Sequence, residues 1–155
     1  MSALDRFIEE LGLFSQEQGG SRIAGRIVGL LIAEGREFSL NEISERLAVS
    51  RASVSTNARQ LARKGVIQLR ARAGDRQDYY EITDVPYVDM LGDLAGRFER
   101  HARAIGACLE GMRKEDAAAA DRAAGFHVFL ERSATILNDW ADTLGKEAAQ
   151  PKDDE

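Results

Sequence analysis

The chain has 155 residues, 44% of them hydrophobic and 30% charged, the makeup of an ordinary globular protein with one real core or a small domain carrying a helical extension. Its longest apolar run, Ile27 to Ala33, is far shorter than the ~20 residues of a bilayer span, and the opening MSALDRFIEELG has no apolar core of the secretion-signal type, so no membrane partner and a cytoplasmic location are expected. The net charge of −5 argues at first against a nucleic-acid partner.

The elements follow in chain order. Leu4, Phe7, Ile8, Leu11 and Phe14 recur at helical spacing and predict an amphipathic helix over residues 3–18, ended by Gly19-Gly20. Ser21 caps a second helix to about Glu34, with Ile23, Ile27, Leu30 and Leu31 as its buried stripe. Within it Gly25 and Gly29 lie four apart, a spacing that admits another helix closely. After Gly35, Ser39-Leu40-Asn41-Glu42 reads as a capping box that opens a third helix to about Leu47. Ala48-Val49 forms a short turn, and Ser50 caps a fourth helix that runs to about Lys64 and stops at Gly65.

Beyond Gly65 the period changes. Residues 66–70 (VIQLR) read as a strand, Gly74-Asp75 as a hairpin turn, and residues 78–82 (DYYEI) as the return strand. Tyr79 and Tyr80 alternate there, so one is expected on the core and the other facing out. Pro86 ends the compact part. Two long helices follow, over about 88–112 and 116–145, with stripes at Leu91, Leu94, Phe98, Ile105, Leu109, Met112 and at Phe126, Phe129, Leu130, Ser133, Leu137, Trp140, Leu144; the spacing is near the 3.5-residue period of helices packed along each other. The single cysteine, Cys108, cannot form an internal disulfide and reads as a small apolar helix residue. His101 and His127 lack ligand spacing, so no metal site is expected, and no cofactor motif is visible.

The distribution of charge changes the first impression. Between Arg46 and Arg76 stand eight basic residues (Arg46, Arg51, Arg59, Arg63, Lys64, Arg70, Arg72 and Arg76) against Asp75 alone. A positive segment in an otherwise acidic chain is the footprint of an anion-binding surface. Helix, short turn, helix, strand and basic hairpin is the order of a winged helix-turn-helix, so the fold class is mainly α with a small β-hairpin wing. On the fourth helix Val54, Ala58 and Leu61 share the core face, while Ala52, Thr56, Arg59 and Arg63 lie opposite, flanked by Ser55 and Gln60. This face holds no acid and no large apolar side chain, which suits entry into the major groove of double-stranded DNA. Ser50, Arg51, Ser53 and the helix N-terminus favour phosphate. Arg59 suits a bidentate contact to guanine, and Gln60 one to adenine. Arg70, Arg72 and Arg76 are the expected wing contacts, with Gly74 and Asp75 shaping the tip. The competing reading is a winged-helix module that binds protein instead of DNA; it calls for acids or apolar groups on that outer face. An enzyme is not expected, since no nucleophile–base pair, metal spacing or phosphate loop is visible.

Three stretches, SRIAGRIVGLL from Ser21, LNEISERLAVSRASVSTNARQLARKGVI from Leu40, and GDRQDYYEIT from Gly74, resemble the MarR superfamily of transcription regulators, and more closely its GbsR-like branch. The resemblance covers about residues 15–84. It implies a homodimeric repressor or dual regulator on a pseudo-palindromic operator, with residues 1–20 as a dimerisation helix, 21–86 as the DNA-binding domain and 87–145 as a helical dimerisation region; the composition of the remaining residues 146–155, KEAAQPKDDE, predicts a disordered tail. Leu4, Phe7, Leu11, Phe129, Leu137, Trp140 and Leu144 are then the expected dimer contacts. It further implies control by a small-molecule effector between the DNA-binding and dimer layers. GbsR-like proteins include sensors of choline or related osmolytes, for which an aromatic cage is suited; Phe98, Phe126, Phe129, Trp140 and Tyr87 sit at helical spacing here and read as core.

Overall fold

A computed structural model describes residues 1–84 and 86–149, which divide into two compact units, 1–86 and from Tyr87 onward. The first contains α1 (Ala3–Glu17), α2 (Arg22–Glu34), β1 (Phe38–Ser39), α3 (Leu40–Leu47), α4 (Arg51–Arg63), β2 (Ile67–Ala71) and β3 (Asp78–Ile82). The second is a pair of long helices, α5 (Val88–Glu115) and α6 (Ala117–Ala149). Among the described residues no helix is long and apolar enough to cross a membrane, and no group of three or more His, Cys, Asp or Glu side chains is arranged to hold a metal ion.

Local chemistry sets the helix ends. Ser2 opens α1 through a reciprocal box with Asp5, whose carboxylate accepts from the Ser2 amide at 3.0 Å. Those Ser2 hydrogen bonds, with Arg46 behind them, pull the Asp5 carboxyl down to about 2. Ser21 caps α2 by accepting from the amides of Ile23 and Ala24. Ser39 and Glu42 form the expected box at α3, and Ser50 accepts from the Ser53 amide at α4. Each such oxygen satisfies an amide that the helix leaves unpaired.

The core of the first unit joins α2 (Ile27, Leu30, Leu31), α3 (Ile43, Leu47), α4 (Val54, Ala58, Leu61) and the sheet residues Phe38, Ile67 and Tyr80, with Ile8 reaching in from α1. Helix α1 lies close along α2. A Cβ at Gly25 would stand 2.1 Å from the Leu11 carbonyl oxygen, and one at Gly29 would stand 3.1 Å from the Ile8 Cα, so the two glycines supply the space for the crossing.

Several expectations need correction. The sheet has three strands in the order β1-β3-β2, not two: Phe38 and Ser39 pair with Tyr80 and Tyr79. The first wing strand is Ile67–Ala71, one residue later than expected, in register Ile67↔Ile82 to Ala71↔Asp78. Tyr79 and Tyr80 are both buried; Tyr80 enters the core, and the other face is closed over Tyr79 by the Arg72 guanidinium, 3.9 Å from the ring centroid. Helix α6 continues to Ala149, so residues 146–149 of the expected tail are helical; residues 150–155 lie outside the described residues.

In the second unit α5 and α6 are joined through Asp116, whose side chain accepts from the Ala119 amide at 2.9 Å and so opens α6. The helices run antiparallel, with Asn138 donating to Glu99 at 2.8 Å. Leu91, Ala95, Ala102 and Leu109 of α5 and Ala120, Leu130, Ala134 and Ala141 of α6 are buried between them. The expected aromatic core is absent from this pair. Phe126, Phe129 and Trp140 are each more than half exposed, Tyr87 is 49% exposed, and Phe98 is half-buried. Phe126 and Phe129 stack on each other at 6.1 Å.

Candidate nucleic-acid interface

The turn between α3 and α4 is over-determined. Ala48 adopts a left-handed conformation (φ 52°), which costs a residue with a Cβ about 1 kcal/mol. Three hydrogen bonds offset that cost. Ser44 donates its hydroxyl to the Val49 carbonyl at 2.6 Å, Arg26 of α2 donates to the Leu47 carbonyl at 2.8 Å, and Arg51 donates to Asn41 across the turn at 2.9 Å. Arg26 is held from its other side by Glu9 of α1, an ion pair at 2.7 Å. The start of α4 is therefore fixed by residues from α1, α2 and α3.

Helix α4 buries Val54, Asn57, Ala58 and Leu61. Ser50, Arg51, Ala52, Thr56, Arg59, Gln60 and Arg63 are exposed, while Ser53 and Ser55 are half-buried. The exposed face contains no acid, and among the described residues Arg59 and Arg63 enter no ion pair. Sequence reasoning passed over Asn57, which lies on the buried side and donates to the Ser53 carbonyl at 2.8 Å, stiffening the first turns of the helix.

The wing is built around one aspartate. Asp75 accepts from the Gln77 amide at 2.9 Å and from the Tyr79 hydroxyl at 2.8 Å, and Gly74 supplies the positive φ of the tip (81°). The Gln77 amide and then the Tyr79 hydroxyl hold the Asp75 carboxyl below its ordinary range, and the same bond raises the Tyr79 phenol. Asp75 thus shapes the tip through backbone amides and a phenol, and among the described residues no arginine side chain is hydrogen-bonded to it.

The three wing arginines are not equivalent. Arg70 pairs with Glu81 across the hairpin, and Arg72 pairs with Glu37, which precedes β1. Arg72 donates through both Nε and Nη2 to the same Glu37 oxygen. Only Arg76 of the three has no ion-pair partner among the described residues. Arg46 is likewise paired, with Asp5 of α1 at 3.1 Å. The basic run loses three of its charges to acids distant in sequence, which leaves Arg51, Arg59, Arg63, Lys64 and Arg76.

Of the expected dimer contacts, Phe7, Phe129 and Trp140 are exposed, whereas Leu4, Leu11, Leu137 and Leu144 are half-buried within their own units. Leu4 packs against the core of the first unit.

Comparison with known proteins agrees with this geometry. Residues 19–78 match the MarR family. The chain is 38% identical over 77 residues to the HTH-type transcriptional regulator MmpR5 of Mycobacterium tuberculosis, an alignment that takes in 49% of this chain and 47% of the relative; the chain thus spans about half the length of that relative. The crystal structure of a transcriptional regulator superposes with a TM-score of 0.65 over 96% of this chain and 100% of the other, at 22% identity, a likeness of fold. The chain accordingly has a winged-helix fold with a MarR-family segment over residues 19–78, from the end of α1 to the first residue of β3.

Proposed function

We propose that the protein is a sequence-specific, double-stranded-DNA-binding transcription regulator that acts as a cytoplasmic homodimer, of repressor type and under the control of a small-molecule effector. The observation that carries the reading is the outer face of α4. Arg59, Gln60 and Arg63 are exposed there with Thr56 and Ala52, no acid accompanies them, and Arg76 of the wing has no ion-pair partner among the described residues. The MarR-type segment and the regulatory names of the similar proteins support it, and the Gly74–Thr83 stretch supports placing the chain near the GbsR-like branch.

In this reading Ser50, Arg51, Ser53 and Ser55 contact phosphate near the helix start, while Arg59 and Gln60 read bases. Two copies would offer two such helices to half-sites about 34–36 Å apart. The exposed Phe7 of α1 and the Phe129 and Trp140 face of α6 supply the dimer contacts. Each large apolar side chain moved there from water contributes roughly 1.5–3 kcal/mol.

The test is titration of genomic fragments, including the gene's own promoter, at several salt concentrations. A specific fragment should outcompete bulk DNA, and Arg59→Ala should lower discrimination by about 1–3 kcal/mol at one base position. Failure of every fragment to outcompete bulk DNA refutes the regulator reading.

A further inference from the structure

A basic hairpin beside a recognition helix is ordinarily credited with all of its arginines as DNA contacts. The ion pairs divide them here. Glu37 and Glu81 are the more buried members of their pairs (28% and 27% exposed), and the arginines they hold are the more exposed (51% and 54%). Both acids are tied to the sheet through the chain: Glu81 lies on β3, where its carboxylate also accepts from Gln68 at 2.7 Å, and Glu37 immediately precedes β1. Arg72 is further restrained by lying on the Tyr79 ring, whose hydroxyl is bonded to the tip residue Asp75. The acids are thus the fixed partners, and the guanidinium groups are folded back onto them.

We propose that Glu37 and Glu81 are wing-positioning residues that occupy Arg72 and Arg70 with internal carboxylates, so that the wing meets the DNA backbone through Arg76. The inference rests on the DNA-binding reading above. An arginine already neutralised by a carboxylate contributes no net positive charge. Its use by a phosphate would require breaking the pair and leaving the carboxylate beside the polyanion. Each phosphate neutralised by a free cation releases counterions and adds about 0.9 to the slope of log affinity against log salt. The wild-type wing therefore adds the slope of one arginine, not three. Functionally, the two acids keep the wing's sequence-independent attraction low and leave a single anchor to set its register.

The experiment compares binding of wild type, Glu37→Gln, Arg72→Ala and the double variant to a labelled mixed-sequence duplex by fluorescence anisotropy between 50 and 200 mM salt. Glu37→Gln should steepen the slope by about 0.9 per wing, equal to a roughly 3.5-fold larger loss of affinity across that range. Arg72→Ala should leave the wild-type slope nearly unchanged yet abolish the gain when combined with Glu37→Gln. Glu81→Gln with Arg70→Ala should repeat the pattern. Exchange of the Arg72 Nε proton, followed by NMR without DNA, should be slow in wild type and fast in Glu37→Gln. An unchanged slope in Glu37→Gln, or a drop of about 0.9 per wing in Arg72→Ala alone, overturns the proposal while leaving DNA binding intact. Absence of any duplex binding by wild type at 50 mM salt with slow Arg72 exchange instead overturns the DNA reading, and the wing's role falls with it.

Discussion

Gly25→Ala offers a sharp test of how α1 is seated. Alanine normally stabilises a helix interior over glycine by about 0.8–1 kcal/mol, so propensity alone predicts a gain. At position 25 the new methyl carbon would lie 2.1 Å from the Leu11 carbonyl oxygen, 2.7 Å from the Leu11 carbonyl carbon and 2.7 Å from the Ser15 Cβ. Two of these atoms are helix backbone, which no rotamer change can clear. Helix α1 must therefore retreat by about 1 Å, and a gap of that size forfeits a quarter to a half of a contact's dispersion energy. The retreat draws Ile8, 2% exposed, away from the core. It also stretches the Arg26–Glu9 and Arg46–Asp5 pairs that tie α1 to α2 and α3. Overpacking of this kind costs roughly 1–3 kcal/mol; set against the propensity gain, a net loss of about 0–2 kcal/mol is expected. Urea denaturation followed by circular dichroism measures it. Gly111→Ala on α5 calibrates the propensity effect, since its Cβ would meet nothing within 4 Å, and it should stabilise by about 0.5–1 kcal/mol. A Gly25→Ala protein stabilised as much as Gly111→Ala would refute the close crossing.

The remaining predictions concern caps and the exposed helix face. Ser39→Ala removes the acceptor for the Glu42 amide and should lower stability by about 1 kcal/mol near pH 7, read as a fall in the urea midpoint. Glu42→Gln should act differently. The Ser39 amide is the chief reason the Glu42 carboxyl sits below its ordinary value of 4.5, with Arg36 assisting. Because the folded value is depressed, its contribution is full above about 4.5 and is lost as pH falls through the folded value. The glutamine variant should therefore lose stability near pH 7 and show a shallower acid decline below pH 4.5, and an acid limb identical to wild type would contradict the assignment. Trp140→Glu on α6 should shift the sedimentation coefficient from dimer to monomer at micromolar concentration, with the helical circular dichroism signal retained; a species unchanged in mass would remove Trp140 from the proposed interface.

What was legible in the sequence was local. Ser39 with Glu42, and Ser50 before a periodic run, mark helix starts because capping depends on residues three apart. The Ser2 box was equally local, and the Ser2–Asp5 spacing was available to find it. The acid-free face of α4 could be read because helical periodicity alone fixes which side chains share a side. Long-range features were not legible. The two-residue β1 has no periodicity of its own and exists only because β3 offers it an edge. Alternation along β3 put one of the two tyrosines on the core without choosing between them, and it could not show that Arg72, seven residues earlier, would cover Tyr79. The charge of the basic run was overcounted for the same reason: Asp5, Glu37 and Glu81 lie outside the window, and only the fold brings them to Arg46, Arg72 and Arg70.

Helix α6 illustrates a different difficulty, that of choosing among apolar stripes. Selecting its large side chains merges two faces into one. The face turned to α5 is built largely from small residues, Ala120, Ala134 and Ala141, with Leu130 between them. His127 reaches so near α5 that a Cβ at Gly106 would stand 3.0 Å from its Nε2. An alanine seam lets two helices approach closely, and a pair so close has no room between its axes for phenyl or indole rings. Phe126, Phe129, Ile136 and Trp140 recur at spacings of three, seven and four along an adjacent face, and each is more than half exposed. A stripe of this size left to water is uncommon in a monomer and characteristic of an interaction surface. The small residues of α6 therefore settle its own hairpin, and that choice leaves its aromatics for the second copy proposed above.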